Sequence, residues 1–267
     1  MKVKTRLCWI AALCVSAQGG AFAQDEEALA KKLSNPVSAM ISVPLQYNYD
    51  GDIGVEREGE KSTLNIQPVA PITLNQHWNV ISRTILPVVD QRDIFPGAGS
   101  TSGIGDITQS LFFSPTKPAA SGLIWGAGPA FLLPTASDDQ LGTEKWGLGP
   151  TIVVLKQEGA WTIGALANHI WSIAGDADRS NVNSTFLQPF ISHTTKTAWT
   201  YGFNTETTYD WTAEHWSVPL NVTVAKLTKL GNMPTSFTVG ARYWADSPES
   251  GPHGWGLRLV VTFLFPK

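Results

Sequence analysis

The sequence predicts an all-β chain: an antiparallel transmembrane β-barrel of about 12 strands, set in a cell outer membrane and preceded by a short helix. Three observations carry that expectation. From residue 37 onward apolar and polar residues alternate with a period of two, so each segment has one apolar and one polar face. The connections between segments sort by parity, in length and in charge sign. The tryptophans gather at the ends of the segments.

The N-terminus sets the compartment. Lys2, Lys4 and Arg6 precede an apolar run over 7–17, and Ala21-Phe22-Ala23 follows with the small-x-small pattern of a cleavage site. This predicts a secretory signal peptide over 1–23. The run is too short for a spanning helix, which needs about 20 residues, and Leu13 before Cys14 does not fit a lipoprotein signal. Both cysteines, Cys8 and Cys14, fall inside the predicted leader, so the mature chain is expected to hold no disulfide. Loss of Lys2, Lys4 and Arg6 moves the formal net charge from −3 to −6. An acidic chain of this kind is a poor nucleic-acid partner.

Residues 24–36 form a segment of their own, because Asp25 to Leu33 places acids first and lysines last, in accord with the helix dipole, and Asn35-Pro36 stops the helix. The barrel is expected over 37–267. Its clearest strands are 41–50, 64–74, 216–224, 237–243 and 255–265, where alternation is nearly strict. The others are 78–89, 105–113, 122–134, 147–156, 161–173, 185–194 and 199–210. Each is close to the ~9–11 residues of a tilted spanning strand, and an even count returns the chain to its starting side.

With the N-terminus on the periplasmic side, the outer loops are 50–63, 90–104, 135–146, 174–184, 211–215 and 246–254. They carry most of the acids, among them Glu56, Glu58, Asp93, Asp138, Asp139, Asp176, Asp178 and Glu249. The inner turns are 75–77, 114–121, 157–160, 195–198 and 227–234, marked by Lys117, Lys156, Lys196, Lys226 and Lys229, with Glu158 as their acid. Long outer loops and short inner turns are the asymmetry of outer-membrane barrels. Trp78, Trp125, Trp161 and Trp199 follow inner turns, while Trp146, Trp171, Trp211, Trp216, Trp244 and Trp255 adjoin outer loops. Indole rings favour the membrane–water boundary, so these predict two aromatic girdles. Against the pattern stand Pro44, Pro68, Pro87, Pro129, Pro150, Pro189 and Pro219, all inside predicted strands of a closed sheet that has no edge to receive them.

The polar phase should line the lumen. Parity puts Gln46, Asn48, Gln67, Arg83, Asp106, Asn204, Glu206, Thr208, Arg242 and Arg258 inside. Arg83, Asp106, Glu206, Arg242 and Arg258 are the candidate lumen-lining charges. Mixed signs in a small barrel suit a structural ion-pair network or a lumen that selects among solutes, and residues alone leave both open. Twelve strands lie between filled eight-strand barrels and wide porins, and the N-terminal helix is placed to plug such a lumen in part.

The five histidines, His77, His169, His193, His215 and His253, lack metal-site spacing, so no metal and no cofactor is expected. His169 and His193, with Ser172 and Ser192 nearby, raise the alternative of a lipid-hydrolysing barrel, but no motif surrounds them and no enzyme is expected.

Several stretches resemble a family of outer-membrane transporters related to the outer-membrane protein of the meta-pathway for phenol degradation. They are Leu33-Ser34-Asn35-Pro36-Val37 leading to Ile41-Ser42-Val43-Pro44, Ile81-Ser82-Arg83-Thr84-Ile85-Leu86-Pro87 and Gly103-Ile104-Gly105-Asp106. Lys145-Trp146-Gly147-Leu148-Gly149-Pro150, Trp216-Ser217-Val218-Pro219 and Arg242-Tyr243-Trp244-Ala245 complete the set. The resemblance covers nearly all of the mature chain. It implies a barrel and a part in moving hydrophobic or aromatic solutes across the outer membrane. The ending Phe265-Pro266-Lys267 departs from the terminal aromatic usual in such barrels. The expected partners are outer-membrane lipid and lipopolysaccharide, the barrel assembly machinery and a small-molecule solute. The leading expectation is a channel or transporter. The alternatives are a non-conducting structural or adhesive barrel acting through its acidic loops, and the lipid hydrolase.

Overall fold

The computed structural model describes residues 26–265. The predicted leader 1–23 with its two cysteines, Asp25, and the ending Pro266-Lys267 lie outside the described residues. The chain begins with a helix α1 over 26–33. Glu27 and Lys31, one turn apart, pair at 2.8 Å on it. It stops where Asn35 Oδ1 accepts the Val37 N–H at 3.0 Å and Pro36 offers no donor. A helix this short is marginal alone. Packing holds it: Ala30, with Leu29 and Leu33, meets Met40, Ala198, Leu227 and Leu264.

Every later element is a strand. In chain order they are β1 (Ile41–Ile53), β2 (Gly59–Ile66), β3 (Val69–Thr73), β4 (Trp78–Arg92), β5 (Ser100–Ile104), β6 (Ile107–Pro115), β7 (Leu123–Leu133) and β8 (Lys145–Glu158). There follow β9 (Trp161–Gly175), β10 (Asn183–Thr194), β11 (Trp199–Thr205), β12 (Thr207–Asp210), β13 (His215–Leu230), β14 (Met233–Asp246) and β15 (Gly254–Phe265). β2 with β3, β5 with β6, and β11 with β12 are halves of interrupted staves, so the sheet has 12 staves. All neighbours are antiparallel, and β1 pairs with β15 from Ile41↔Phe265 to Tyr49↔Leu257, which closes the barrel.

The faces separate as the alternation requires. Along β8 the odd residues from Lys145 to Leu155 are buried and the even ones from Trp146 to Lys156 are exposed. Ile152, Ile163, Val222, Val239, Leu257 and Leu259 form part of a broad exposed apolar band on the outside. A band of that extent is incompatible with a water-facing surface and fits lipid. With the closed barrel it places the protein in the outer membrane. Three polar side chains also face outward by parity, and they satisfy one another. The Thr84 hydroxyl donates to Gln109 Oε1, and Gln109 Nε2 donates to Ser82 Oγ at 3.1 Å, leaving less unpaired polarity toward lipid.

The loop end and the turn end differ from the sequence boundaries. The expected loops 50–63 and 90–104 shrink to 54–58 and 93–99, because the hairpins continue above the membrane. The expected turn 227–234 tightens to 231–232. Paired aromatics mark both rims, with Trp78 5.8 Å from Trp125 at the turn end, and Tyr243 4.9 Å from Trp255 at the loop end. Trp244 is a correction: it shares the inward face with Arg242, and its Nε1 donates to Asp50 Oδ1 at 2.7 Å.

Three of the prolines, Pro44, Pro87 and Pro219, face interruptions in the neighbouring stave. Pro44 O accepts from Gln67 N–H at 2.9 Å, at the gap between β2 and β3. Pro87 O accepts from Gly105 N–H at 2.9 Å, at the gap between β5 and β6. Pro219 O accepts from Glu206 N–H at 3.3 Å, at the gap between β11 and β12. A proline cannot return a ladder bond, so its neighbour's pairing lapses there. Register is kept across two of these gaps, since Leu45↔Ile66 and Ser42↔Val69 are in phase, as are Thr205↔Leu220 and Thr208↔Ser217. At the third it slips by one residue, from Val88↔Ile104 to Ile85↔Thr108, which is a bulge. Pro129 and Pro150 are opposite each other.

Candidate lumenal site

Two of these gaps present polar side chains to the lumen. Gln67 occupies the first, and its Oε1 accepts from Arg83 Nη2 at 2.9 Å. Glu206 occupies the other. Arg258 on β15 binds its carboxylate with both terminal nitrogens, at 2.8 and 2.7 Å, and sends its Nε to Asn48 Oδ1 on β1 at 2.8 Å. Such a two-pronged pair is the strongest geometry a guanidinium offers. Arg242 on β14 adds Nη1 at 3.7 Å from Glu206 Oε2 and Nε at 3.2 Å from Asp50 Oδ1. The Nε contact has charge proximity without hydrogen-bond alignment. Arg242 also lies over the Trp244 ring at 4.6 Å. Gly256, opposite Arg242, makes room, since a Cβ there would stand 2.9 Å from Asp50 Oδ1. Beside this belt Asn221 Nδ2 donates to Asn204 Oδ1 at 2.9 Å.

The belt divides the lumen. Toward the turn end is a cavity of about 340 Å³, floored by α1 and lined by Arg83, Gln67, Arg258, Ser192, Phe190 and Val69 among others. Toward the loop end is a second, of about 440 Å³, lined by Asp50, Lys61, Glu206, Arg242 and the loop residues Ile94 and Pro252 among others. One lumenal wall is apolar, because Ile81, Phe112, Val153, Leu155 and Leu166 cluster inside with Val37, against Ile124, Phe186 and Phe190. The opposite wall holds the charges. α1 is tied to the apolar side through Gln157 Nε2, which donates to Lys31 O at 2.9 Å.

Four of the five candidate charges, Arg83, Glu206, Arg242 and Arg258, are thus around one belt. Asp106 is not among them. It sits at the bulge after β5, where its Oδ2 accepts from Thr143 N–H and Thr143 Oγ1, both at 2.7 Å, and its Oδ1 from Ala136 N–H at 3.2 Å. It clamps the loop 134–144. Inward-facing Gln91 helps by donating to Gln140 O at 3.3 Å, and Arg179 binds Asp139 O at 2.8 Å and Gly142 O. At this mouth the Glu144 carboxyl is pushed up from its ordinary value, first by its hydrogen bond with Asp139, then by desolvation and by the Asp139 charge, against Arg179. Asp106→Ala is expected to free this loop, because three acceptor contacts to it vanish at once. Limited proteolysis should then cut within 134–144 while the barrel stays intact. Cleavage no faster than in the unaltered protein would show that Gln91 and Arg179 suffice.

Asp50, Lys61, Trp244 and Gln91 were missed as lumenal by the sequence reading. Asp50 continues the even phase of Gln46 and Asn48, which was the available signal. Among the described residues the histidines form no Ser–His pair. His169 Nδ1 meets the Thr185 hydroxyl at 2.7 Å, and His193 lies on Trp161 at 4.7 Å. The Ser172 hydroxyl binds Asn181 Oδ1 at 3.3 Å, and Ser192 faces the lumen.

No family model matches the chain, and no curated protein matches it. Among solved structures, the barrel is similar to an outer-membrane channel from Pseudomonas putida F1, with a TM-score of 0.68 and 16% identity, over 85% of this chain and 96% of that one. The KdgM porin in complex with disordered oligogalacturonate matches at a TM-score of 0.46 and 12% identity, over 84% and 99% of the two chains. The β domain of the Bordetella autotransporter BrkA matches at 0.46 and 11%, over 85% and 100%. The latter two scores carry no argument of their own. The first, at its low identity, establishes the fold: this chain is a closed outer-membrane-type barrel of 12 strands.

Proposed function

We propose that the protein is an outer-membrane channel for small solutes, narrowed at one level by a belt of charged side chains. The observation that carries this is the pair of lumenal cavities, about 340 and 440 Å³, stacked on either side of the belt. Volumes of that order suit small molecules. Phe190 and Val69, which line the cavity above α1, favour solutes with a hydrophobic or aromatic body. The resemblance to phenol-pathway proteins points the same way and rests on its residue stretches alone. Membrane lipid and lipopolysaccharide as surroundings, and the barrel assembly machinery as the route of insertion, belong to the same proposal.

The test is single-channel recording on refolded protein in a planar bilayer. Stable conductance steps that an aromatic solute reduces are the expected result. A folded barrel that never conducts would overturn the channel reading. It would favour the second reading, a plugged structural barrel, which α1 across one mouth and the loop 134–144 tied down at the other support. An adhesive role is less well served, because that loop is bound by Asp106 and Gln91.

A further inference from the structure

We infer that the cavity between α1 and the belt is a binding site for a carboxylate with an apolar body, and that Arg83 is the residue that captures it. The inference rests on the channel reading and names the solute class that the lumen would pass.

Charge distribution in the belt is uneven. Arg258 and Arg242 share Glu206 and Asp50. Arg83 has no carboxylate within ion-pair distance among the described residues. Its hydrogen bond to the neutral Gln67 Oε1 uses one of the guanidinium's five N–H donors. The side chain lines the cavity, and its remaining donors meet no further acceptor among the described residues. A half-buried cation in that state is costly unless an anion or water satisfies it. The planar fork matches a carboxylate in two-point geometry better than it matches a spherical ion.

The rest of the cavity describes the body of the ligand. Phe190 and Val69 supply apolar contact. Ser192 Oγ also lines the cavity and is buried without a hydrogen-bond partner. It offers a second polar contact to the same guest. Among the described residues no carboxylate lines this cavity. Across the belt the opposite holds, since Asp50 and Glu206 line the second cavity. A passing anion is therefore favoured at Arg83 and opposed by those carboxylates, while Lys61 and Arg242 ease its crossing.

The experiment is equilibrium titration calorimetry on the refolded protein in non-ionic detergent, with benzoate and its neutral, planar counterpart benzamide as probes. Wild-type protein is expected to prefer benzoate by at least about tenfold, the scale of a charge-assisted hydrogen-bond pair. Arg83→Gln should abolish the preference, and Arg83→Lys should restore part of it. Equal binding of the two probes by wild-type protein overturns the proposal without reference to any variant. So does a preference that survives Arg83→Gln. Potassium chloride conductance of the same samples separates the two readings. A barrel that conducts but ignores benzoate sinks this inference alone. One that binds benzoate yet never conducts sinks the channel and leaves the site.

Discussion

Glu206→Gln is expected to be the most damaging single substitution in the lumen. The carboxylate is held two-pronged by Arg258 and approached by Arg242 at 3.7 Å, and both arginine side chains are nearly excluded from solvent. Removing its charge leaves two guanidinium groups facing each other with Asp50 as their remaining counter-charge. Breaking a buried pair from one side costs ~3–5 kcal/mol, and cavities on both sides admit water, so the lower end applies here. Urea titration followed by the heat-dependent gel shift of folded barrels should show that loss. Exchanging both partners, as Glu206→Leu with Arg258→Met, should cost less than Glu206→Gln alone, because no orphan charge remains. The belt's electrostatics change in step. With Glu206 neutral, Lys61, Arg83, Arg242 and Arg258 oppose Asp50 alone, so reversal potentials in a salt gradient should move toward anion selectivity. Unchanged stability and unchanged selectivity together would mean that the belt is solvated and does not narrow the lumen.

Deleting residues 26–36 should raise the conductance several-fold. α1 floors the lower cavity and makes its main contacts through Leu29, Ala30 and Leu33 on one side and the Lys31 carbonyl on the other. Barrel closure does not involve these residues, since the seam of β1 with β15 begins at Ile41. The truncated protein should therefore refold and keep its heat-dependent gel shift. If conductance stays at the full-length value, the charged belt rather than the helix limits flow. In that case Glu206→Gln becomes the variant that alters the flow, by removing a charge from the belt.

Much of the barrel was legible because a membrane wall imposes one rule at every residue. A spanning strand must turn an apolar side chain to lipid at each second position, so β14 and β15 announce their faces in sequence. The helix was legible for a similar reason, with charges ordered along it and Asn35-Pro36 at its end. Strand lengths were less so. β1 and β4 run on past the membrane as far as Ile53 and Arg92. There the outer face meets water, and polar residues follow in both phases. The outer loops were overestimated for that reason, and Asp50 and Lys61 were counted as loop residues.

By itself, the sequence determined the number of staves, their order, and which phase of the clearest ones faces the lumen, because these follow from local alternation and from the parity of the turns. Of its five candidate charges, Arg83, Glu206, Arg242 and Arg258 keep their phase and lie around the belt. What tertiary structure decided was everything that depends on a neighbour across the ladder. The one-residue slip before Ile107 brings Asp106 to the loop 134–144 and away from the belt. Pro44, Pro87 and Pro219 are tolerated because pairing lapses opposite them, and one of those lapses carries Glu206. Which arginine has a carboxylate and which has only Gln67 is likewise a matter of distance across a closed ring. Residues 52 positions apart, such as Glu206 and Arg258, meet only when the sheet has curved back on itself.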